Sequence, residues 1–425
     1  MKKRSPFCAS FKLAAKTIMR RISYPLLIIL SVSNTIYAAE SVPTIDIHKI
    51  KPSELLTGPY SFFVPPYSYF YFHNMDKLDF KFDWIRRSGK VYPLKEAKKA
   101  FATTYTYKDQ TYTLDQYMRR NSVTGFLILK NDQIIYERYF HGANQRSRFL
   151  TNSVGKSITS TLFGIALQEG KISNINDPVT KYLPGLNASG FNRVTLKDGL
   201  EMATGLDLTY DPYDPNSSTL KFNTAALTGV PSFANLLKSL KPNDNVKPGT
   251  IFDYENENSQ MLGFVIEKTT GKPLNKYLQE KIWSKIGAES DAFFYRAKVQ
   301  PDQAAFGVLS ATLRDYGRFG LMMMNGGTLG GKRIISSAWI KEATTPAKFL
   351  KPVDENEKLG YGYQWWIPAN NADHAFKALG IFGQIIYINP TKHIVIVETS
   401  AWPVPEDENR WAESSKVMDA IAASL

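Results

Sequence analysis

Ser153-Val154-Gly155-Lys156 is followed about a hundred residues later by Tyr254-Glu255-Asn256, and these two stretches decide how the chain is read. A serine one helical turn before a lysine places both side chains on one helix face. A serine hydroxyl is a weak nucleophile near neutral pH, and a desolvated lysine within hydrogen-bond reach is a base that activates it. Thr151 and Asn152 suit a helix N-cap. Val154, Ile158, Leu162, Ile165 and Ala166 then recur at helical spacing. Upstream, Phe126 to Leu129 and Ile134 to Tyr139 read as strands, with Asn131-Asp132 as the turn between them. Ser153 is therefore expected where a sheet hands over to a buried helix, with its backbone N–H toward a substrate carbonyl. The bland alternative is a capping serine with a solvated lysine.

The chain carries its own control. Ser218-Thr219-Leu220-Lys221 has the same spacing but follows the turn-rich run Asp211-Pro212-Tyr213-Asp214-Pro215-Asn216, so Ser218 is expected in a loop. Gly155-Lys156-Ser157 also looks like the end of a phosphate-binding loop. That loop needs a glycine five positions before Gly155, and Leu150 stands there.

Tyr254-Glu255-Asn256 follows the turn Pro248-Gly249-Thr250 and precedes the apolar run Met261 to Ile266. A tyrosine beside a lysine cation is expected to have a lowered pKa and to share the serine's proton traffic. Asn256 offers an amide to the substrate or to Lys156. Further on, Phe376 to Asn389 and His393 to Val397 read as strands joined at Asn389-Pro390.

Ser-x-x-Lys with Tyr-x-Asn resembles the penicillin-recognising serine enzymes and β-lactamases, the class C branch in particular. Those enzymes carry a Lys-Thr-Gly-like triplet on an edge strand, and Ala378-Leu379-Gly380 stands in its place. By that resemblance Ser153 and Ile381 supply the two oxyanion-hole N–H groups. The pattern Gly380-Ile381-Phe382-Gly383-Gln384 is similar to the 6-aminohexanoate-dimer hydrolase group of β-lactamase-related serine hydrolases. So are Asn74 to Leu78, Glu137 to Phe140, Gly164 to Ile172, Thr195 to Leu206, Ser310 to Gly320 and Gly360 to Trp366. The resemblance implies a catalytic Ser153, Lys156 and Tyr254. It also implies substrate contacts from Asn256, Gly380, Trp366 (or Trp365) and Tyr210.

The first 39 residues hold seven Lys/Arg, no acid and the apolar run Pro25 to Val32, and they end in Ala38-Ala39. This is a signal-peptide pattern, which implies a periplasmic or secreted protein. The run is shorter than the ~20 residues of a spanning helix, so membrane contact is expected only through this segment if it stays uncleaved. Without it the formal charge falls from +13 to +6, and nucleic-acid binding loses its main support. The single cysteine, Cys8, lies in the same segment, which excludes disulfides, thiolate catalysis and Cys-ligated metals from the mature chain. The five histidines, at 48, 73, 141, 374 and 393, show no ligand spacing, so neither metal nor cofactor is expected.

The expected fold is α/β (α+β), β-lactamase/transpeptidase-like. An antiparallel sheet from 125–140 and 374–398 is flanked by the Ser153 helix and a C-terminal helix near 409–424, with a mostly helical insert over about 157–370. Residues 40–110 are read as an extension packed on a core of 111–425. The function expected is hydrolysis of small esters or linear amides through an acyl-enzyme on Ser153. The alternatives are a β-lactamase or DD-peptidase, and a non-catalytic binding protein on the same fold.

Overall fold

The computed structural model describes residues 65–97, 101–209, 214, 216–348, 359–368 and 371–425. The signal-like segment and Tyr210 lie outside the described residues.

Alternation of apolar side chains builds the main sheet. Its strands in chain order are β1 (Lys95–Glu96), β2 (Val123–Lys130), β3 (Gln133–Tyr139), β4 (Leu359–Tyr361), β5 (Trp366–Pro368), β6 (Phe376–Gly380), β7 (Gln384–Asn389) and β8 (Ile394–Ser400). Their spatial order is β4-β5-β6-β7-β8-β2-β3-β1. Leu127, Leu129, Ile386, Ile388, Val395 and Val397 point to one face, into the larger core. Phe126, Ile128, Ile385, Tyr387, Ile394 and Ile396 point to the other. This is the period of two that a sheet buried on both faces requires. Asn131 and Asp132 both take positive φ, 49° and 62°, as a two-residue hairpin demands.

Helices cover both faces. On the second face lie Leu114–Arg120 and the C-terminal helix Glu408–Ser424, which buries Val417, Met418, Ile421 and Ala422. On the first lie Val154–Gln168 (α1) and Leu313–Met324. Gly317 and Gly320 of the latter let it close on Leu127, Leu129, Val395 and Ile386. Two further helices complete the groove that holds the site: α3 (Asn256–Thr270) packs on α1, and α2 (Ser218–Thr228) packs on α3.

A second sheet sets the entry to α1. Its strands run Lys81–Ile85, Ala292–Arg296, Leu309–Ala311 and Phe149–Leu150, in that spatial order. Phe149–Leu150 pairs with Leu309–Ala311, so residues 151–153 and 306–308 leave the sheet side by side. Tyr71, Phe72, Met75, Leu78, Phe80 and Ile85 of the N-terminal segment pack into the larger core.

The strands from 125–140 and 374–398 pair antiparallel as expected, and β1 adds to β3 in parallel at the edge. The stretch 157–370 carries most of the helices and also contributes strands to both sheets. One sequence expectation changes. Ser218 is not in a loop: Ser217 caps α2 by accepting the Leu220 N–H, and Ser218 is the first helical residue. Turn residues upstream marked a helix start rather than an extended loop.

Candidate active site

Backbone strain and close packing fix the start of α1. Asn152 takes φ +47° and Val308 φ +55°. Such values are uncommon for side chains with a Cβ, above all a β-branched one, and they cluster at functional sites. Gly155 lies against the backbone of Gly307, where a Cβ would come within 2.8 Å of the Gly307 Cα. The glycine inside the Ser-x-x-Lys stretch is thus what lets the 306–308 turn reach Lys156.

Ser153 occupies the N-cap of α1 in helical backbone geometry, and its side chain makes no capping hydrogen bond. Its hydroxyl is therefore available. Lys156 is 1 % exposed, so the alternative of a capping serine with a solvated lysine fails on both counts. Lys156 Nζ lies 2.9 Å from Ser153 Oγ, 2.7 Å from Asn256 Oδ1 and 3.3 Å from the Phe306 carbonyl. A neutral amine has two N–H donors and one lone pair. With Asn256 and Phe306 taking the two donors, the lone pair is left for the Ser153 hydroxyl. Burial pulls Lys156 down from its ordinary value to about 7, against the upward pull of the Glu255 and Glu257 carboxyls.

Tyr254 shares a hydrogen bond with the Ser153 hydroxyl, and its ring centroid lies 4.9 Å from Lys156 Nζ. Its pKa corrects the sequence expectation. Burial pushes the phenol up, with Glu406 and Glu255 adding to the rise, although the Ser153 hydrogen bond opposes it. Desolvation of the phenolate outweighs the neighbouring amine because that amine, at about 7, has lost its charge by the pH at which a phenol titrates. Tyr254 rests as a neutral phenol.

Gly380 ends β6 against the backbone of Thr151 and Ser153, where any Cβ would collide with the Thr151 carbonyl. Ile381 follows it, and its carbonyl accepts a hydrogen bond from Asn152 Nδ2 at 3.1 Å. Ser153 and Ile381 wall the same pocket with Asn152, Asn223, Asn256, Tyr295 and Phe306, lined further by Ala226, Leu227, Gly307 and Val308. None of these side chains is charged.

The two tryptophans part at the entry to β5, of which Trp366 is the first residue and Trp365 the one before it. Trp365 is fully buried, parallel to the Phe319 ring and edge-on to Phe376. Trp366 faces the other way, 5.4 Å from the Tyr254 ring and 4.9 Å from Tyr361. It lies on the Tyr254 side of the site and not in the pocket wall. Lys377, one residue before Ala378, is turned to the C-terminal helix, where Nζ donates to Ser415 Oγ at 2.9 Å. The strand that carries a cation in Lys-Thr-Gly enzymes thus sends its lysine to the opposite face.

The sequence reading missed several residues. Asn223 of α2 accepts from Asn256 Nδ2 at 3.4 Å and lines the pocket. The Phe306 carbonyl holds Lys156 and has no side-chain signature. Gln364, at φ +64°, ties three helices together. Its carbonyl accepts from Ser157, its Oε1 from Ser259, and its Nε2 donates to the Gly199 carbonyl. Among the described residues no group of three or more His, Cys, Asp or Glu is placed to hold a metal ion.

Comparison with known proteins gives a consistent picture. A family model described as Beta-lactamase matches residues 113–416. A 6-aminohexanoate-dimer hydrolase of Paenarthrobacter ureafaciens is 29% identical over 334 residues, covering 72% of this chain and 82% of that protein. A solved structure described as a "Putative 6-aminohexanoate-dimer hydrolase from Bacillus anthracis" superposes with a TM-score of 0.77 at 25% identity, over 86% of this chain and 96% of that one. A family VIII carboxylesterase shares the fold, with a TM-score of 0.55 at 19% identity over 73% of this chain and 95% of that one.

Proposed function

Because this chain belongs to the beta-lactamase family, we propose that Ser153 is its nucleophile and Lys156 the base that activates it. The protein is a serine hydrolase of amides and esters. The observation that carries the assignment is the buried Lys156 amine 2.9 Å from Ser153 Oγ, with the Asn256 Oδ1 and Phe306 carbonyl acceptors as its other two hydrogen-bond partners.

In the reading proposed here, Ser153 Oγ attacks the substrate carbonyl and its proton passes to Lys156. The N–H groups of Ser153 and Ile381 receive the developing oxyanion. The proton then moves to the leaving group, with the neutral Tyr254 phenol as its relay at Ser153. The leaving alcohol or amine departs with that proton. Water repeats the sequence on the ester of Ser153 and frees the acid. Tyr254 is a donor and relay here rather than a resting phenolate. Trp366 acts by packing Tyr254 in place.

We propose a linear substrate of the kind the 6-aminohexanoate-dimer hydrolase is named for, or a short ester. Among the described residues, no charged side chain lines the pocket beside Ser153. Ala378 and Leu379 supply no cation for a substrate carboxylate, and Lys377 points away. An unpaired carboxylate is costly to desolvate. The expected result is a kcat/KM for p-nitrophenyl butyrate at least about tenfold above that for nitrocefin, a difference worth ~1.4 kcal/mol in transition-state binding. A ratio in favour of nitrocefin would restore the β-lactamase reading.

We also propose export through the first 39 residues, on the strength of their basic and then apolar pattern. N-terminal sequencing of the protein from the cell envelope is expected to start close to Glu40. Recovery of the intact N-terminus from the cytoplasm would refute export.

A further inference from the structure

Lys156 is buried with two carboxyls beside it that the mechanism above does not use. Glu255 and Glu257 flank Asn256, the residue that accepts the Lys156 hydrogen bond. They are 2 % and 0 % exposed. Glu255 Oε1 and both Glu257 oxygens make no hydrogen bond of normal geometry. Glu255 Oε2 accepts from Thr219 Oγ1 of α2 at 3.2 Å, and Glu257 lies toward the backbone N–H groups that open α3. A buried carboxylate without a partner is costly, and so is a buried ammonium. Each is tolerable when the other is charged. Resting on the assignment of Lys156 as base, we propose that Glu255 and Glu257 form a buried carboxyl pair whose charge compensates Lys156 when it takes up the Ser153 proton. They are positioning residues that act through the lysine and touch no substrate.

The surroundings restrict what else sets the charge of Lys156. Its own helix offers Ser153, the 306–308 turn offers a carbonyl and the Phe306 ring, and Tyr254 offers a neutral phenol. The charged groups acting on Lys156 are these two glutamates. Asp253, two residues before Glu255, acts on both of them. Burial raises all three carboxyls, Glu257 to about 7 and Asp253 to about 6. Glu257 and Lys156 therefore exchange protons in the same pH range. Above that range Glu257 is a carboxylate, so uptake of the Ser153 proton by Lys156 meets a negative charge already beside it.

The test is the pH profile of kcat/KM for p-nitrophenyl butyrate. In the wild type the rate rises with pH through about 7, since only the neutral amine accepts a proton. Glu257→Gln and Glu255→Gln keep the shape and remove the charge. Lys156 then loses a counter-charge and its proton affinity falls further. The acid limb is expected to move to lower pH, with about a threefold gain at pH 6 relative to each variant's own plateau, the equivalent of half a pH unit. The plateau kcat is expected to fall about tenfold while KM changes little, and Glu257→Asp is expected to return the limb toward the wild type. Acid limbs and plateaus unchanged in both glutamine variants overturn the proposal. If a variant fails to fold, the infrared titration of buried carboxyls in the wild type and in Lys156→Ala decides. Part of the protonated-carboxyl band is expected to persist to higher pH once the lysine cation is gone, and identical titrations overturn the pair. Lys156→Ala separates the two levels. An inactive Lys156→Ala with unmoved glutamine variants sinks only this inference, whereas an active Lys156→Ala sinks the base itself.

Discussion

Ser153→Ala is expected to lower kcat for a p-nitrophenyl ester by at least about 10⁴-fold, the scale seen when a serine nucleophile is removed. Covalent labelling by a fluorophosphonate is expected to vanish with it. Ser218→Ala is expected to leave both within about twofold, in line with a surface substitution away from the chemistry. The contrast is informative because both serines precede a lysine by three residues. Ser218 accepts a hydrogen bond from the Thr209 N–H at 3.3 Å, and its backbone N–H binds Thr209 Oγ1 at 3.2 Å. Its lysine, Lys221, is exposed, where Lys156 is buried. Equal spacing with unequal burial isolates desolvation of the lysine as the cause of reactivity. Retained turnover in Ser153→Ala would refute the nucleophile.

Lys156→Ala and Tyr254→Phe come next in size. Each is expected to lower kcat by about 10²–10⁴, the usual weight of proton transfer to and from a positioned side chain. Tyr254→Phe preserves the ring contacts with Trp366 and Tyr361 and removes only the hydroxyl, so its loss reports the proton relay rather than packing. The two residues meet at one hydroxyl, that of Ser153. The double variant is therefore expected to lose much less than the product of the single losses. Losses that add fully in free energy would show that the two residues do not act on the same proton.

The parts of this site legible in the sequence are those written locally. Ser153 and Lys156 are one turn apart on one helix, and Tyr254 and Asn256 are two apart at the entry to another. The strands at 126–139 and 376–397 declare themselves by alternation and by the Asn131-Asp132 turn. What stayed hidden depends on long-range packing. Asn223 has no local signature, because the turn-rich run before it masks the start of the helix that carries it. The Phe306 carbonyl is brought in by Gly155 meeting Gly307, a contact between residues 152 positions apart. Trp365 and Trp366 are indistinguishable by composition, and only the folded entry to β5 sends one to the core and the other to Tyr254. The pKa of Tyr254 was expected low from its lysine neighbour. Burial reverses that, and burial is a property of the folded chain.

The account rests on an acyl-enzyme at Ser153, and the most direct measurement is the mass of that intermediate. The wild type, quenched in acid during turnover of p-nitrophenyl butyrate, would be digested and its acylated peptide sequenced by mass spectrometry. The predicted result is a single butyryl adduct on Ser153, formed in the first turnover and absent from Ser153→Ala. An adduct on another residue, or full turnover with no adduct on the quenched protein, would contradict it.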